Sequence, residues 1–160
     1  MATHNGPQQA LADKVKLVVR LTHDNDTAVA AALYTSDVLW QVLNGNSIAS
    51  ALRNALTCTR HKLASRVEEA LCAEALDALA LGQHFGSACH VLEGVPIIAH
   101  LLQHAKDYHA VIEENIRIGG DSCGRSIMLG AIVAAAMAQR QEFDAGIPLV
   151  WMARYRKFQV

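Results

Sequence analysis

Four side chains that could carry chemistry lie within five consecutive positions, at Asp121, Ser122, Cys123 and Arg125. They supply a carboxylate, a hydroxyl, a thiol and a guanidinium. The preceding pair Gly119–Gly120 allows the positive φ that ends a helix at low cost, so Asp121 can cap the next helix. The free amides of that helix, together with Ser122 and Arg125, could bind a phosphate or a sugar hydroxyl. The residues alone leave two interpretations open, an anion or polyol site and a simple helix cap.

The helix that follows is predicted to be the buried centre of the fold. From Ser122 to Gln139 its residues are almost all small or apolar, and a helix that is apolar nearly all round is a buried helix. We expect five of its larger side chains to lie in the core: Ile127, Leu129, Ile132, Val133 and Met137.

Two other clusters contain residue types that bind metals, but their residues lack the spacing that zinc or calcium sites require. His100 and His104 lie one helical turn apart and His109 follows. No glutamate lies within the pair and no third ligand is placed in fixed geometry, so we expect surface histidines rather than a zinc site. Asp24 and Asp26 begin like a calcium loop, but the glycine and the glutamate that such a loop needs later are missing.

Apolar residues recur at three- and four-residue spacing along most of the chain without strand-like alternation, so we predict an all-α fold. After a flexible N-terminal segment, residues 1–9, the chain is expected to form one helical domain, residues 10–160. Residues 81–89 contain two glycines and are predicted to be a loop. The helices are predicted to begin or to be capped at Ala10, Asp26, Ser47, Leu63, Pro96, Asp107, Asp121 and Pro148, and the one from Leu63 to extend to Leu79.

The composition excludes several classes of protein. With 52% hydrophobic and 18% charged residues in a chain of 160, a core can form and disorder is not expected. A formal net charge of −1 shows no basic excess, so nucleic acid is not expected as a partner. The four cysteines form no Cys-x-x-Cys pair, which is typical of free thiols in a reducing compartment. No apolar run is long enough to span a bilayer and no signal-peptide pattern is visible, which favours a cytoplasmic protein without membrane association.

Five short segments stand out in order along the chain: Leu21–Asp24, Leu43–Gly45, Val91–Pro96, Asn115–Ser122 and Ile147–Trp151. Together with the alanine-rich helices among them, they resemble the ADP-ribosylglycohydrolase family, hydrolases that remove ADP-ribose from modified proteins. The resemblance is collinear over roughly residues 10–155. It implies an all-α fold similar to the C-terminal portion of the family, whose members are considerably longer.

The resemblance also implies a set of site residues. Asp121 matches a magnesium ligand in the family's Gly-Gly-Asp-x-Asp-Thr run, and His23 matches a histidine that lines the ADP-ribose pocket. Glu93 falls in a helix-start segment near that pocket. Ser122 and Arg125 would either contact and orient the residues that bind the ligand, or contact a phosphate themselves.

Two departures from the family pattern concern the metal. Cys123 stands in place of the second aspartate of the run, and Gly124 stands in place of its threonine. Magnesium prefers hard oxygen ligands, and a thiol and a glycine supply none. The other family ligands lie in an N-terminal Thr-Asp-Asp-Thr type of run, and nothing before Ala10 matches it. We therefore expect no bound magnesium.

The activity that the resemblance implies is hydrolysis of the glycosidic bond that links ADP-ribose to a modified protein or small molecule. ADP-ribose or an ADP-ribosylated protein would then be the partner. Because the metal ligands are incomplete, this chain is expected to be inactive by itself. Two alternatives remain, a non-catalytic protein that binds ADP-ribose or a related nucleotide, and a helical interaction protein. An apolar face left uncovered by the absent half would favour a homo-oligomer.

Overall fold

The computed structural model describes residue 4 and residues 6–59, 61–74 and 76–155. Within these residues the chain forms nine α-helices and one 3-10 helix and no strand, which confirms the all-α prediction. The segment expected to be flexible, residues 1–9, lies partly outside the described residues, and the first helix begins at Gln8. The helices are α1 (Gln8–Arg20), α2 (Asp26–Leu43), α3 (Ile48–Thr57), α4 (His61–Cys72), α5 (Ala78–Phe85), α6 (Val91–Gln103), α7 (Tyr108–Ile118), α8 (Ser122–Arg140) and α9 (Leu149–Arg154), and the 3-10 helix spans Phe143–Ala145.

Several helices begin where a side chain caps their free amides, as the sequence predicts. Ser47 and Asp107 each accept a hydrogen bond from the amide of the third helical residue. The cap of α2 is Asn25 rather than the predicted Asp26. The Oδ1 atom of Asn25 accepts from the Thr27 amide at 2.8 Å, so Asp26 is the first residue of the helix instead.

The connection between α4 and α5 differs from the prediction. The apolar spacing predicts one helix through Leu79, but α4 and α5 are separate helices. Asp77 begins α5, because its carboxylate accepts a hydrogen bond from the Ala80 amide at 2.8 Å. Leu79 is consequently 70% exposed. The predicted loop at residues 81–89 is also wrong in its first half, since α5 continues to Phe85.

The most enclosed helix is α6, not α8. All residues from Val95 to Leu102 are buried, and α6 contacts α2, α3, α4, α5, α7 and α8. It begins at Val91, so Pro96 lies inside the helix and not in its first turn. A proline inside a helix leaves the carbonyl four residues earlier without its amide donor. Here that carbonyl belongs to Leu92, and Arg66 Nε donates to it at 3.5 Å.

One face of α8 packs in the core, mainly against α2, α6 and α7. Four of its predicted core residues are buried: Leu129, Ile132, Val133 and Met137. The prediction for Ile127 is wrong, because this side chain is 71% exposed. It lies on the side of the helix away from the core, where Ala131 and Ala138 are also exposed. By length and composition alone α8 could cross a membrane, a property that core helices of soluble proteins share.

The histidines of α6 and its neighbours also differ from one another. His104 and His109 are exposed, as predicted. His100 is only 2% exposed, so its predicted surface position is wrong. Its Nδ1 donates to the Ala70 carbonyl at 3.0 Å, and its Nε2 accepts from the Leu76 amide at 3.3 Å. His100 is buried because α6 is enclosed by other helices, which sequence spacing along α6 does not reveal.

Candidate functional site

The turn between α7 and α8 lies against a second loop. We call these two segments, residues 86–90 and 119–122, together with the side chains of Glu93, Asn115 and Arg125, the α8 corner. Gly120 has a positive φ of 61°, which glycine adopts without strain. It also lies close to Ser87, because a Cβ at this position would be 2.7 Å from the Ser87 carbonyl carbon. The Asp121 amide donates to the same Ser87 carbonyl at 2.9 Å. A glycine is therefore required here both by the turn and by the neighbouring loop.

Asp121 caps α8, as predicted, and Gly124 makes room for its side chain. Oδ1 accepts a hydrogen bond from the Gly124 amide at 3.0 Å. The carboxylate lies over the first turn so closely that a Cβ on Gly124 would be 2.9 Å from its Cγ, and closer still to Oδ2. Its negative charge is favourable at the helix N-terminus. A side chain at position 124 would force the carboxylate away from this place.

Arg125 joins the two loops of the corner from the inside. It is 3% exposed. Its guanidinium donates to Asn115 Oδ1 at 2.7 Å, to the Gly119 carbonyl at 2.6 Å and to the Ser87 carbonyl at 3.3 Å. Burial lowers the pKa of Arg125 below its ordinary value, while the nearby Asp121 charge opposes that shift. The guanidinium is thus engaged by the chain itself and faces away from any phosphate at the surface.

Asn115 is the residue of the corner that sequence reasoning missed. It is completely buried, and its Nδ2 donates to the Ser122 carbonyl and to Ser126 Oγ, both at 2.9 Å. Its Oδ1 is the acceptor for Arg125. A signal was present, because Asn115 occupies the apolar register of α7, and a buried amide needs hydrogen-bond partners. Those partners come from α8, which sequence spacing within α7 does not show.

Of the other predicted site residues, Glu93 and Ser122 belong to the corner, whereas His23 does not. Glu93 Oε2 accepts from the Ala88 amide at 2.9 Å and so fixes the first loop of the corner. Ser122 is half-buried at the first position of α8. His23 is exposed between α1 and α2, where its ring shares a hydrogen bond of 2.9 Å with Thr22 Oγ1. In the described part of the chain, no hydrogen bond or ion pair joins His23 to the corner.

The side chains of the corner do not supply the ligand atoms that the magnesium ion implied by the resemblance would need. Magnesium requires oxygen ligands in a near-octahedral array. Asp121 and Glu93 supply the carboxylates here, and each already accepts a hydrogen bond from a backbone amide. Cys123 offers an exposed thiol, a soft donor. Over residues 6–59, 61–74 and 76–155, no three His, Cys, Asp or Glu side chains come together as a group that could hold a metal ion.

A groove of about 570 Å³ lies between α1, α2 and the end of α3. Its walls include the apolar side chains Leu11 and Val29, with Lys16 and Asp37 among the polar ones. None of the five predicted site residues lines this groove. It is therefore a separate feature from the α8 corner.

Comparison with known proteins assigns the chain to a family. A family model described as ADP-ribosylglycohydrolase matches residues 1–159, essentially the whole chain and more than the residues 10–155 over which the resemblance is evident. No curated protein and no solved structure matches the chain. The all-α architecture is consistent with this family. The chain belongs to the ADP-ribosylglycohydrolase family.

Proposed function

We propose that this chain is a glycohydrolase-family protein that neither binds magnesium at the α8 corner nor hydrolyses ADP-ribosyl bonds by itself. The parent activity is hydrolysis of the glycosidic bond that links ADP-ribose to a protein or small molecule. The observation that carries the proposal is the position of Asp121. Its carboxylate bonds the Gly124 amide of its own helix, so the residue that matches a metal ligand acts as a helix cap.

The neighbours of Asp121 support the same proposal. A magnesium ion held through few carboxylates keeps several waters and loses affinity as protein oxygens are removed. Cys123 supplies sulfur where the family pattern has an oxygen donor. Arg125 donates to backbone carbonyls of both loops and not toward solvent. The corner is therefore held together by internal hydrogen bonds that engage Asp121 Oδ1 and the Arg125 guanidinium.

Calorimetry with millimolar magnesium tests this proposal. We expect no stoichiometric heat of binding for the wild-type chain. The variant Cys123→Asp restores one carboxylate, and we expect it also to bind no magnesium, because a single added ligand does not complete an octahedral set. Stoichiometric magnesium binding by the wild-type chain, lost in Asp121→Asn, would overturn the proposal.

A second candidate function is binding of ADP-ribose without metal or hydrolysis. It is supported by two polar groups of the corner, the Ser122 hydroxyl and Asp121 Oδ2, which make no hydrogen bond within the described residues. Both lie on partly exposed residues at the start of α8. A hydroxyl and a carboxylate oxygen of this kind suit the hydroxyl groups of a ribose.

Melting curves with added ADP-ribose test the second candidate, because a ligand that binds only the folded chain raises the melting temperature. We expect a rise that increases with ADP-ribose concentration and becomes smaller in Ser122→Ala. Ser65→Ala is the matched control, since Ser65 is a helical serine of α4 whose hydroxyl bonds its own helix at Lys62. No rise at millimolar ADP-ribose would instead favour the third class, a helical interaction protein.

A further inference from the structure

His100 connects α6 to the end of α4 and to the linker that follows. We call the described residues between α4 and α5, 73–74 and 76–77, the α4–α5 linker. The last carbonyls of a helix have no partner within that helix. His100 Nδ1 donates to one of them, Ala70, at 3.0 Å, and Gln103 Nε2 donates to the next, Leu71, at 3.0 Å. The Leu76 amide of the linker donates back to His100 Nε2 at 3.3 Å.

The hydrogen bonds of His100 to Ala70 and Leu76 fix the protonation state of its ring. A carbonyl can only accept, so Nδ1 carries a hydrogen, and Nε2 must be unprotonated to accept from Leu76. The neutral imidazole with hydrogen on Nδ1 satisfies both partners. A second proton on Nε2 would point an N–H at the N–H of Leu76 and remove the bond that holds the linker.

The charges around His100 do not favour a second proton. Burial lowers the pKa of His100 below 6.5, the charge of His104 acts in the same direction, and the hydrogen bond to Ala70 opposes them. The His104 ring lies 4.6 Å from the His100 ring. Several titratable side chains on the helices packed against α6 and on the α4–α5 linker are bonded elsewhere: Tyr34 to Leu52, Arg66 and His84 to Glu69, Asp77 to Ala80, and Arg125 to Asn115. Glu68, Glu74 and Arg53 are exposed to solvent, and Tyr108 is half-buried.

We infer that His100 is a pH-sensitive latch, which holds the α4–α5 linker closed when neutral and releases Leu76 when a second proton binds Nε2. The direction follows from linkage. A histidine whose pKa is lowered in the closed form stabilises that form above the pKa of the open form, near 6.5. The stabilisation is lost as the pH falls below that value.

Along the chain, the α4–α5 linker leads through α5 to the α8 corner. The linker begins α5 through the Asp77 cap, and α5 leads directly into the loop at residues 86–90. That loop supplies Ser87, whose carbonyl accepts from Asp121 and from Arg125. The latch thus lies one short helix away from the corner in sequence.

Amide hydrogen exchange on the full chain between pH 7.5 and pH 5 tests the latch. The probe is the protection factor of the Leu76 amide, which corrects for the intrinsic pH dependence of exchange. We expect the protection factor to fall below about pH 6.5 by up to tenfold per pH unit. His100→Gln should hold it constant, because a glutamine amide both donates and accepts but does not titrate. A wild-type protection factor that is independent of pH, or one that falls equally in His100→Gln, would overturn the inference.

The ring itself gives a second measurement that needs no variant. Nitrogen chemical shifts of His100 in the wild-type chain should report hydrogen on Nδ1 alone at pH 7 and titration of the ring only below pH 6.5. His104, the exposed C-cap residue that follows α6, is the internal reference for an accessible ring. Hydrogen on Nε2 at pH 7, or a His100 titration at or above pH 6.5, would contradict the latch even if His100→Gln failed to fold.

Discussion

The carboxylate of Asp121 and the backbone of Gly124 form a single unit. Oδ1 accepts the Gly124 amide at 3.0 Å, and a Cβ on Gly124 would lie 2.9 Å from the Asp121 Cγ. The glycine therefore does more than lack a metal-binding side chain. It allows the aspartate to turn back on its own helix, so the position of the carboxylate depends on the glycine at position 124.

A double-mutant cycle on these two residues is the first prediction. Gly124→Ala alone should not raise the free energy of unfolding, since a helical gain of about 0.5–1 kcal/mol is offset by loss of a cap worth about 1 kcal/mol. In an Asp121→Ala background the same change should stabilise by about 0.5 kcal/mol or more. Urea unfolding of the four proteins measures the coupling, expected at about 1 kcal/mol. Strict additivity would show that the carboxylate does not depend on the space at position 124.

Gly94→Ala is the matched control for this cycle. Gly94 also lies in a helix, but a Cβ there would meet only Arg125 Cγ, at an ordinary contact distance of 3.7 Å. The change should stabilise the chain by about 0.5–1 kcal/mol, whether or not Asp121 is present.

The second prediction concerns Arg125. Arg125→Met would leave the Asn115 amide oxygen and the carbonyls of Ser87 and Gly119 without their donor, and should lower the free energy of unfolding by about 3 kcal/mol. Arg117→Met is the control, because Arg117 is exposed and pairs with Glu113 on the surface of α7; it should change stability by about 0.5 kcal/mol at most. An Arg125→Met chain of wild-type stability that fails to bind ADP-ribose would instead indicate the phosphate contact that the sequence suggests.

The helix caps could be predicted from the sequence because each cap depends only on residues beside the start of its own helix. Asp107 and Asp121 each sit directly before an apolar helical pattern, and both cap the predicted helix. Asn25 and Asp26 are adjacent residues of similar capping strength, so the sequence could not separate them. A feature such as a helix cap, which depends only on residues within four positions of each other, can be predicted almost entirely from one sequence.

Features that depend on the neighbouring helix were not predictable in this way. His100 and His104 lie four residues apart, so the apolar pattern of α6 places them on the same face. In the structure, α4 covers only His100. Ile127 lies in an apolar helix but on the side that no described helix buries. The sequence leaves open whether Arg125 lies behind the site or contacts a phosphate. In the structure, Asn115 from α7 and Ser87 from the other loop accept its hydrogen bonds inside the fold.

The third prediction compares two positions on α8. Val133 is completely buried, whereas Ile127 is 71% exposed on the same helix. Val133→Asp should cost several kcal/mol, about 3 or more, because it buries an unpaired charge. Ile127→Asp should change the free energy of unfolding by about 0.5 kcal/mol or less. Equal effects of the two substitutions in thermal or urea unfolding would contradict the packing of α8.

The fourth prediction is self-association. At the end of α1, the helical residues Leu17 and Val18 and the C-cap residue Leu21 are between 62% and 76% exposed. Exposed apolar patches favour association. We expect light scattering to give a mass above that of the monomer, and the double variant Leu17→Lys with Leu21→Lys to lower it. A clean monomer at high protein concentration for the wild-type chain would rule out the homo-oligomer.

The most direct test of the proposal that this chain does not hydrolyse ADP-ribosyl bonds is release of ADP-ribose from an ADP-ribosylated protein in the presence of millimolar magnesium. The account predicts that the wild-type chain releases ADP-ribose no faster than buffer does, and that Cys123→Asp does not restore turnover. Turnover by the wild-type chain above the buffer rate, abolished in Asp121→Asn, would contradict the assignment of Asp121 as a helix cap without a metal.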